Sequence, residues 1–464
     1  MNNIKPLIPT KEEILSWIKI ICDKGYRRPG SEGDRKVEDF LVQKLREFGV
    51  LDIKKDAIEI PFWEPENWKL IIEMDHEKKE IPCFFIVYTE FTSSEGVSGE
   101  IIYLKGGREI DFQKNDVNGK IVAIDFRNPP LQIDPLTKFA LYKHDPKNTI
   151  PVKYSHPAIF QTLNWDSFYR AYENGAIGVI GILKDLPAEI KEYYYPADNF
   201  EHDLRPIPGL YIGRDDGKEL KKLFRKNRDK TITGTMALTG KKSQGTTNNI
   251  LGFILGKTDD TIIISSHHDA PFNNAVQDGS GTGIILALAK YFAQFPQETF
   301  DKTLLFLFTG GHFYEEIGGK AFVEKYKNDL LPKIVITIHI EHIGKEYLEK
   351  DGKLVATGYP EPRGIFISDN PSLFSLVKDV VIKYDLQRLL IFPTDNPLEV
   401  PTDGAPFYWE KLPIISLASA PLYIYNPIDT IEKLAIEEFE PVTKAFIDII
   451  QSIDKLPRKD LRIN

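Results

Sequence analysis

Three segments of the chain end apolar runs in imidazole and carboxylate groups. "SSHHDA" presents His267, His268 and Asp269, "TGGHFYEE" presents His312, Glu315 and Glu316, and "HIEHIG" presents His339, Glu341 and His342. Five of the nine histidines lie between positions 267 and 342. Neutral imidazole and carboxylate are the ligands that suit zinc and similar divalent ions. An ion held with one open position acidifies water for attack on a carbonyl. A histidine beside it can take the proton, since its ordinary pKa suits exchange near neutrality. The competing reading is structural, because a histidine at a strand end often just satisfies a backbone carbonyl. Strand parity adds a condition. Positions 339 and 341 share one face and 342 takes the other, so Glu341 and His342 converge only if the strand ends by Glu341.

The elements that would position these groups are legible in the pattern. From about 246 onward, apolar strands alternate with helices: "DDTIIISS", then "GSGTGIILALAKYFAQF"; "KTLLFLFTG", then "GGKAFVEKYKNDL"; "KIVITIHIEHIG", then "NPSLFSLVKDVVIKY"; "KLPIISLAS", then "IEEFEPVTKAFIDIIQSI". Continuous apolar strands joined by helices predict a mostly parallel sheet covered on both faces. Ligands in such sheets bind beyond the carboxyl ends of the strands, where the polar groups collect here. "KEEILSWIKIICDKG" and "RKVEDFLVQKLREFG" read as two earlier helices with apolar residues at helical spacing, the second with Asp34 placed to cap it. Between about 86 and 235, short β runs such as "GVSGEIIYL", "VNGKIVAIDF" and "GAIGVIGIL" are bounded by Gly, Asn and Pro, which suggests an inserted β-rich unit. The expected division is 1–85 and 241–464 for an α/β domain and 86–240 for the insertion.

The 464 residues suffice for two or three domains, with a formal net charge of −9 and both signs mixed along the chain. That balance argues against a nucleic-acid groove or an anionic membrane as partner. Cys22 and Cys83 stand alone, outside any CxxC pattern, and read as free thiols in a reducing compartment. No secretory signal and no run long enough to span a bilayer is visible, so a cytoplasmic location is expected. The Lys, Glu and Ile content with few Cys and Met fits a thermophile.

Residues 246–464, with the helices at 11–49, resemble the zinc-aminopeptidase family (metallopeptidase family 28) that also contains glutamate carboxypeptidases and glutaminyl cyclases. "IIISSHHDA" resembles its H-x-D strand end, "QDGSGTG" its D-N-G-S-G turn and "TLLFLFTGGHFYEEIGGKAF" its E-E segment. "HIEHIG" resembles its L-D-M-I-G strand end, "TDGAPFYWEKLPIISL" its S-D-H-x-P-F segment and "YNPIDT" its Y-H-T-x-x-D-T. "GKIVAIDF" and "YENGAIGVIGIL" resemble a protease-associated domain. The resemblance implies an α/β sandwich with this insertion and a site for two metal ions.

The ligand set departs from that pattern. Position by position, His267 matches the first ligand and Asp269 the residue that orients it. The bridging Asp falls on Gln277, with Asp278 next to it. The general base falls on His312, the following ligand on Phe313, the Asp ligand on Glu341 and the last His on Tyr425. Phe313 cannot bind a metal, Gln277 is a weak neutral ligand, and Tyr425 binds only as a phenolate. An intact two-metal site is therefore not expected. A single zinc or other divalent ion on His267 and Glu341, with Asp278, His312 or His342 in reach, is expected instead. His312, Glu315, Glu316 and Asp269 are the catalytic candidates, His312 serving as base or ligand but not both. Asp403, Tyr425 and Gln277 are expected to face substrate. Ser280 is read as part of a tight turn and not as a nucleophile. These features imply an aminopeptidase-like hydrolase of peptide or small amide substrates, with a homo-oligomer left open. Two rivals stand: a metal-independent amide or acyl hydrolase using His312 with Glu315 or Glu316, and a non-catalytic binding protein on a peptidase scaffold.

Overall fold

The structure, a computed structural model, describes residues 6–151, 153, 155–195, 204–395 and 400–462. Its central strand is Thr258–His267, parallel to Lys302–Thr309 on one side and to Ile334–Ile340 on the other. Ile414–Ser419 continues the parallel order beyond Ile334–Ile340. Successive residues of these strands serve opposite faces, so both faces must be covered and the runs read as continuously apolar. Ile262, Ile264, Leu304 and Phe306 join one core with Ile14, Leu41, Ile285 and Phe446 from the helices Lys11–Cys22, Glu32–Phe48, Gly281–Phe292 and Phe439–Lys455. Ile263, Leu305 and Leu307 join the other, with Phe322 and Tyr326 of Ile317–Tyr326 and Phe407 of Ala405–Trp409. The mostly parallel α/β sandwich expected from the sequence is what forms.

The sheet extends past its parallel centre. Arg363–Ile367 runs antiparallel to Ile414–Ser419 and parallel to Leu389–Pro393, and Tyr142–His144 closes that edge. On the other side, Thr233–Ile254 pairs antiparallel with Lys302–Thr309 and, along its length, with Leu51–Met74. Between these two long strands lies a span with its own parallel strands, Val97–Tyr103, Ile121–Phe126, Gly178–Leu183 and Gly209–Ile212. The helices Asp166–Glu173 and Arg214–Lys226 accompany them, so this span is mixed α/β in character.

Two local expectations are corrected. Ser31, not Asp34, caps Glu32–Phe48, accepting from the Asp34 backbone N–H. Asp34 sits in the first turn with its side chain buried. The "QDGSGTG" turn is as tight as expected: a Cβ on Gly281 would lie 2.2 Å from the Ile340 carbonyl, so only glycine lets the helix start against that strand. Cys22 and Cys83 are free. Among the described residues no helix is long and apolar enough to cross a membrane.

Candidate metal centre

The three polar strand ends meet at the carboxyl rim of the parallel strands. Thr258–His267 ends at His267 itself, which is fully buried. Its Nδ1 lies 3.0 Å from the Asp269 carbonyl, which can only accept, so Nδ1 carries the hydrogen and Nε2 the lone pair. Asp269 in turn accepts from the backbone N–H groups of His312 and Phe313, both at 3.2 Å. Burial opposes its charge, but contact with His267 and the nearby histidines holds it below the usual carboxylate range.

The parity condition is met because the third strand stops at Ile340. His339 stays on the strand and turns to Thr337 Oγ1 at 2.9 Å. His342 takes a left-handed φ of 56°, which folds the chain back so that Glu341 and His342 both approach His267. One donor atom from each of these three residues lies within 4.8 Å of the others. His342 Nδ1 donates to the Ser419 carbonyl at 2.8 Å, leaving its Nε2 buried without a hydrogen-bond partner. Burial brings the His342 pKa down to about 4, so it is a neutral imidazole. Glu341 is pushed well above the usual carboxylate range by burial and by Asp403 and Asp278. The Glu341 carboxyl group and the two imidazole lone pairs, buried together, are a donor set that suits a divalent cation. The donor set, two histidines and one glutamate, matches a catalytic zinc site with an open position.

His312 stacks on His267 with ring centroids 4.1 Å apart and planes 10° from parallel. Its Nδ1 donates to Asp403 Oδ1 at 2.7 Å. Burial lowers the His312 pKa, but the Asp403 charge and hydrogen bond prevail and raise it to about 10. Asp403 also receives the Thr309 hydroxyl at 3.3 Å, and its own N–H donates to Glu341 Oε1 at 3.0 Å. His267, His312 and Asp403 form a second grouping with donor atoms within 4.8 Å. Burial and the Asp403 charge raise the Glu316 carboxyl to about 8. His312, Glu315, Glu316, His342 and Tyr425 line a cavity of about 720 Å³. Four of these have left-handed backbones: Glu315, Glu316, His342 and Tyr425, at φ of 52°, 56°, 56° and 64°. Such conformations are costly for residues with side chains and gather where a site requires them.

Residues 249–450 match the model of peptidase family M28. That match spans the strands and helices that carry the site. Among curated protein sequences none matches it. Among solved structures it is similar to a peptidase M28 precursor from Shewanella amazonensis, at 19% identity and a TM-score of 0.74, over 96% of this chain and 93% of that one. It is similar to BSAP, a zinc aminopeptidase from Bacillus subtilis, at 16% identity and a TM-score of 0.68, over 99% of both chains. An aminopeptidase from Aneurinibacillus sp. strain AM-1 follows at 18% identity and a TM-score of 0.62, over 95% of this chain and 93% of that one. At these identities the likeness is one of fold.

Within the family frame, the residues singled out from the sequence separate into groups. His267, Glu341 and His342 come together, and His312, Asp403 and Asp269 surround them. Gln277 also reaches the centre, its amide N–H donating to His267 Nε2 at 3.3 Å while its Oε1 has no partner. Asp278 does not offer itself as a ligand. Its oxygens already accept from Ser266 Oγ at 2.5 Å, Gly281 N at 2.9 Å and His342 N at 3.1 Å. It braces the turn and the His342 backbone. Burial, with Tyr193, Glu341, Asp403 and Glu316 nearby, raises the Tyr425 phenol above its ordinary range, so it offers no phenolate. Glu315 lies 3.6 Å from Lys320 at the rim. The sequence reading set Asp403 against substrate and missed its hold on His312. It also missed a third grouping, Asp34, Glu38 and His268, on the side facing Glu32–Phe48.

Proposed function

We propose that this protein is a metal-assisted hydrolase of peptide or small amide bonds, aminopeptidase-like, using one divalent ion, with zinc the natural choice. The observation that carries the reading is the convergence of two pinned imidazoles and the Glu341 carboxylate beside an open cavity. His267, Glu341 and His342 hold the ion, and Gln277 leaves or shares its place beside His267. An ion held there would supply Lewis acidity to polarise a carbonyl and acidify water. Asp269 and the Ser419 carbonyl fix the two imidazoles in the tautomer that ligation needs. His312, fixed at Nδ1 by Asp403, takes up a proton at Nε2 during attack and returns it to the departing amine. His312, stacked on His267, would lose its proton more readily with a cation on that ring than beside Asp403 alone. Glu316, and Glu315 at the mouth, line the part of the cavity that the free amine of the substrate would approach. We divide the chain at 1–85, 86–240 and 241–464, the middle unit being protease-associated-like, and we place the protein in the cytoplasm.

Metal analysis of protein purified without chelator, combined with hydrolysis of amino-acid amides, tests this. The expected result is one zinc per chain, lost together with activity in His342→Ala and in Glu341→Ala. Turnover by metal-free protein would replace it with acid–base chemistry at His312 and Glu316. Neither metal nor turnover would leave a binding protein.

A further inference from the structure

The chain between the strand Thr258–His267 and the helix Gly281–Phe292 carries Asp269 and Gln277, and one residue far upstream grips its backbone. Arg27 lies in the turn between Lys11–Cys22 and Glu32–Phe48 and is fully buried. Its Nε donates to the His268 carbonyl at 3.1 Å. Its Nη2 donates to the Asn274 carbonyl at 3.0 Å and to the Gln277 carbonyl at 3.3 Å. Its own carbonyl accepts from the Ala270 N–H at 2.9 Å.

These contacts bracket Asp269. The carbonyl before it, on His268, and the N–H after it, on Ala270, are both held by Arg27. The Asp269 carbonyl is left to accept from His267 Nδ1 at 3.0 Å. The direction and tautomer of the His267 imidazole therefore pass through Arg27, although Arg27 touches neither the ring nor the cavity. The other end of the loop is held in the same manner. Asp429 accepts from the Val276 and Gln277 N–H groups, both at 2.9 Å. With its carbonyl on Arg27, Gln277 is gripped on both sides of its backbone, while its side-chain amide faces His267 Nε2.

The residue type fits this task. A planar guanidinium presents donors along separate edges, so carbonyls of three peptides can meet it at once. A lysine carries its donors on a single atom and cannot span them. Among the described residues, every hydrogen bond of this guanidinium goes to a main-chain carbonyl, and its buried Nη1 has no partner. A buried cation so incompletely paired is costly, and an apolar side chain would serve packing better. The cost is accounted for by the loop that Arg27 organises.

We propose that Arg27 is a positioning residue of the metal centre: it holds the loop from His268 to Gln277 so that Asp269 sets the His267 imidazole for ligation. This rests on the proposed reading of His267, Glu341 and His342 as metal ligands. The first two helices thus contribute to the centre through a single side chain.

The test uses the full-length protein and cobalt(II) as the probe, read as a calorimetric dissociation constant and as the visible spectrum of the bound ion. The proteins compared are the native chain, Arg27→Lys, Asp269→Asn and the double variant, each checked for folding by thermal melting. Arg27→Lys is expected to weaken cobalt binding by about 10–100-fold, the range for losing a group that orients a ligand, and to alter the spectrum. The loss in the double variant is expected to fall well short of the product of the two single losses, because both changes act on one imidazole. Amide hydrogen exchange of the native protein needs no variant. Without metal, the Ala270 N–H is expected to exchange as slowly as the amides of Thr258–His267. A folded Arg27→Lys with native affinity and spectrum overturns the role and leaves the metal centre standing, as do single losses that simply multiply. An Ala270 N–H that exchanges fast until cobalt is added also overturns it, since the ion and not Arg27 then orders the loop. A native protein that binds no cobalt overturns the metal reading and this role with it.

Discussion

At the scale of single residues, the site turns on which lone pairs are already spent. Asp278 and His339 look like ligands by type, yet their hydrogen bonds commit them to the turn and to Thr337. His342 looks misplaced by strand parity, yet its buried Nε2 has no hydrogen-bond partner among the described residues. Residue type and rough position were legible in the sequence for His267, Glu341 and His312. What was not legible is the left-handed turn at His342, because a non-glycine residue in that region leaves no compositional trace. The role of Asp403 was not legible for a similar reason, since nothing in a Thr-Asp-Gly run shows a histidine partner 91 residues earlier in the chain. Asp403→Asn keeps the shape of the His312 partner and removes its charge. The kcat for amide hydrolysis is expected to fall by about 10²–10⁴, the range for losing a positioned acid–base group. The acid limb of the rate profile, which rises as His312 loses its proton, is expected to move to lower pH. A limb that stays in place would free His312 of the role.

At the scale of elements, the residue next to the first ligand does a different job. His268 points away from His267, its Nε2 donating to the Asn248 carbonyl at 2.9 Å and its Nδ1 lying 3.3 Å from Asp34 Oδ1. Glu38 accepts from the Asn248 N–H and side-chain amide at 2.9 and 2.8 Å. Through these contacts Glu32–Phe48 is fastened to the strands that carry the site. Sequence periodicity found this helix from its apolar face, but its buried acids are invisible to periodicity, because their partners lie more than two hundred residues away. Burial lowers the His268 pKa, but Asp34 and Glu38 outweigh it and raise it from 6.5 to about 9. The proton held in the folded state therefore stabilises fully below about pH 6.5, and that stabilisation is lost as pH rises toward 9. Across that window the loss amounts to roughly 3 kcal/mol. Unfolding free energy from urea titrations is expected to decline over this range in the native protein and to decline much less in His268→Gln. Equal slopes in the two proteins would remove the cluster from the account of stability.

At the scale of the whole molecule, the inserted span is not hung on two loose linkers. The α/β alternation after residue 246 was legible because buried parallel strands are long and apolar, whereas a three-residue strand such as Tyr142–His144 carries no pattern to read. That short strand is one of several ties between the two parts. Leu51–Met74 and Thr233–Ile254, the connections into and out of the insertion, are paired from Leu51 opposite Phe253 to Glu73 opposite Thr233. At the cavity, the Tyr194 N–H donates to the Tyr425 carbonyl at 2.8 Å, and the Tyr88 hydroxyl donates to the Phe313 carbonyl at 2.9 Å. Melting the insertion alone would break ladder bonds on both long strands and expose Phe366 and Phe392, which pack with Ile133 and Leu136. Inserted domains on flexible linkers unfold as separate units, and chains of this size often show several transitions. Here the shared strands couple the parts, so calorimetry is expected to give one endotherm for both. Tryptophan emission is expected to follow it, since Trp165 lies in the inserted span and Trp17 in the first helix. Zinc is expected to raise the midpoint of that single transition as a ligand of the folded state alone. Two resolved endotherms, with zinc moving only one, would show that the inserted span can open while the metal-binding sheet stays folded.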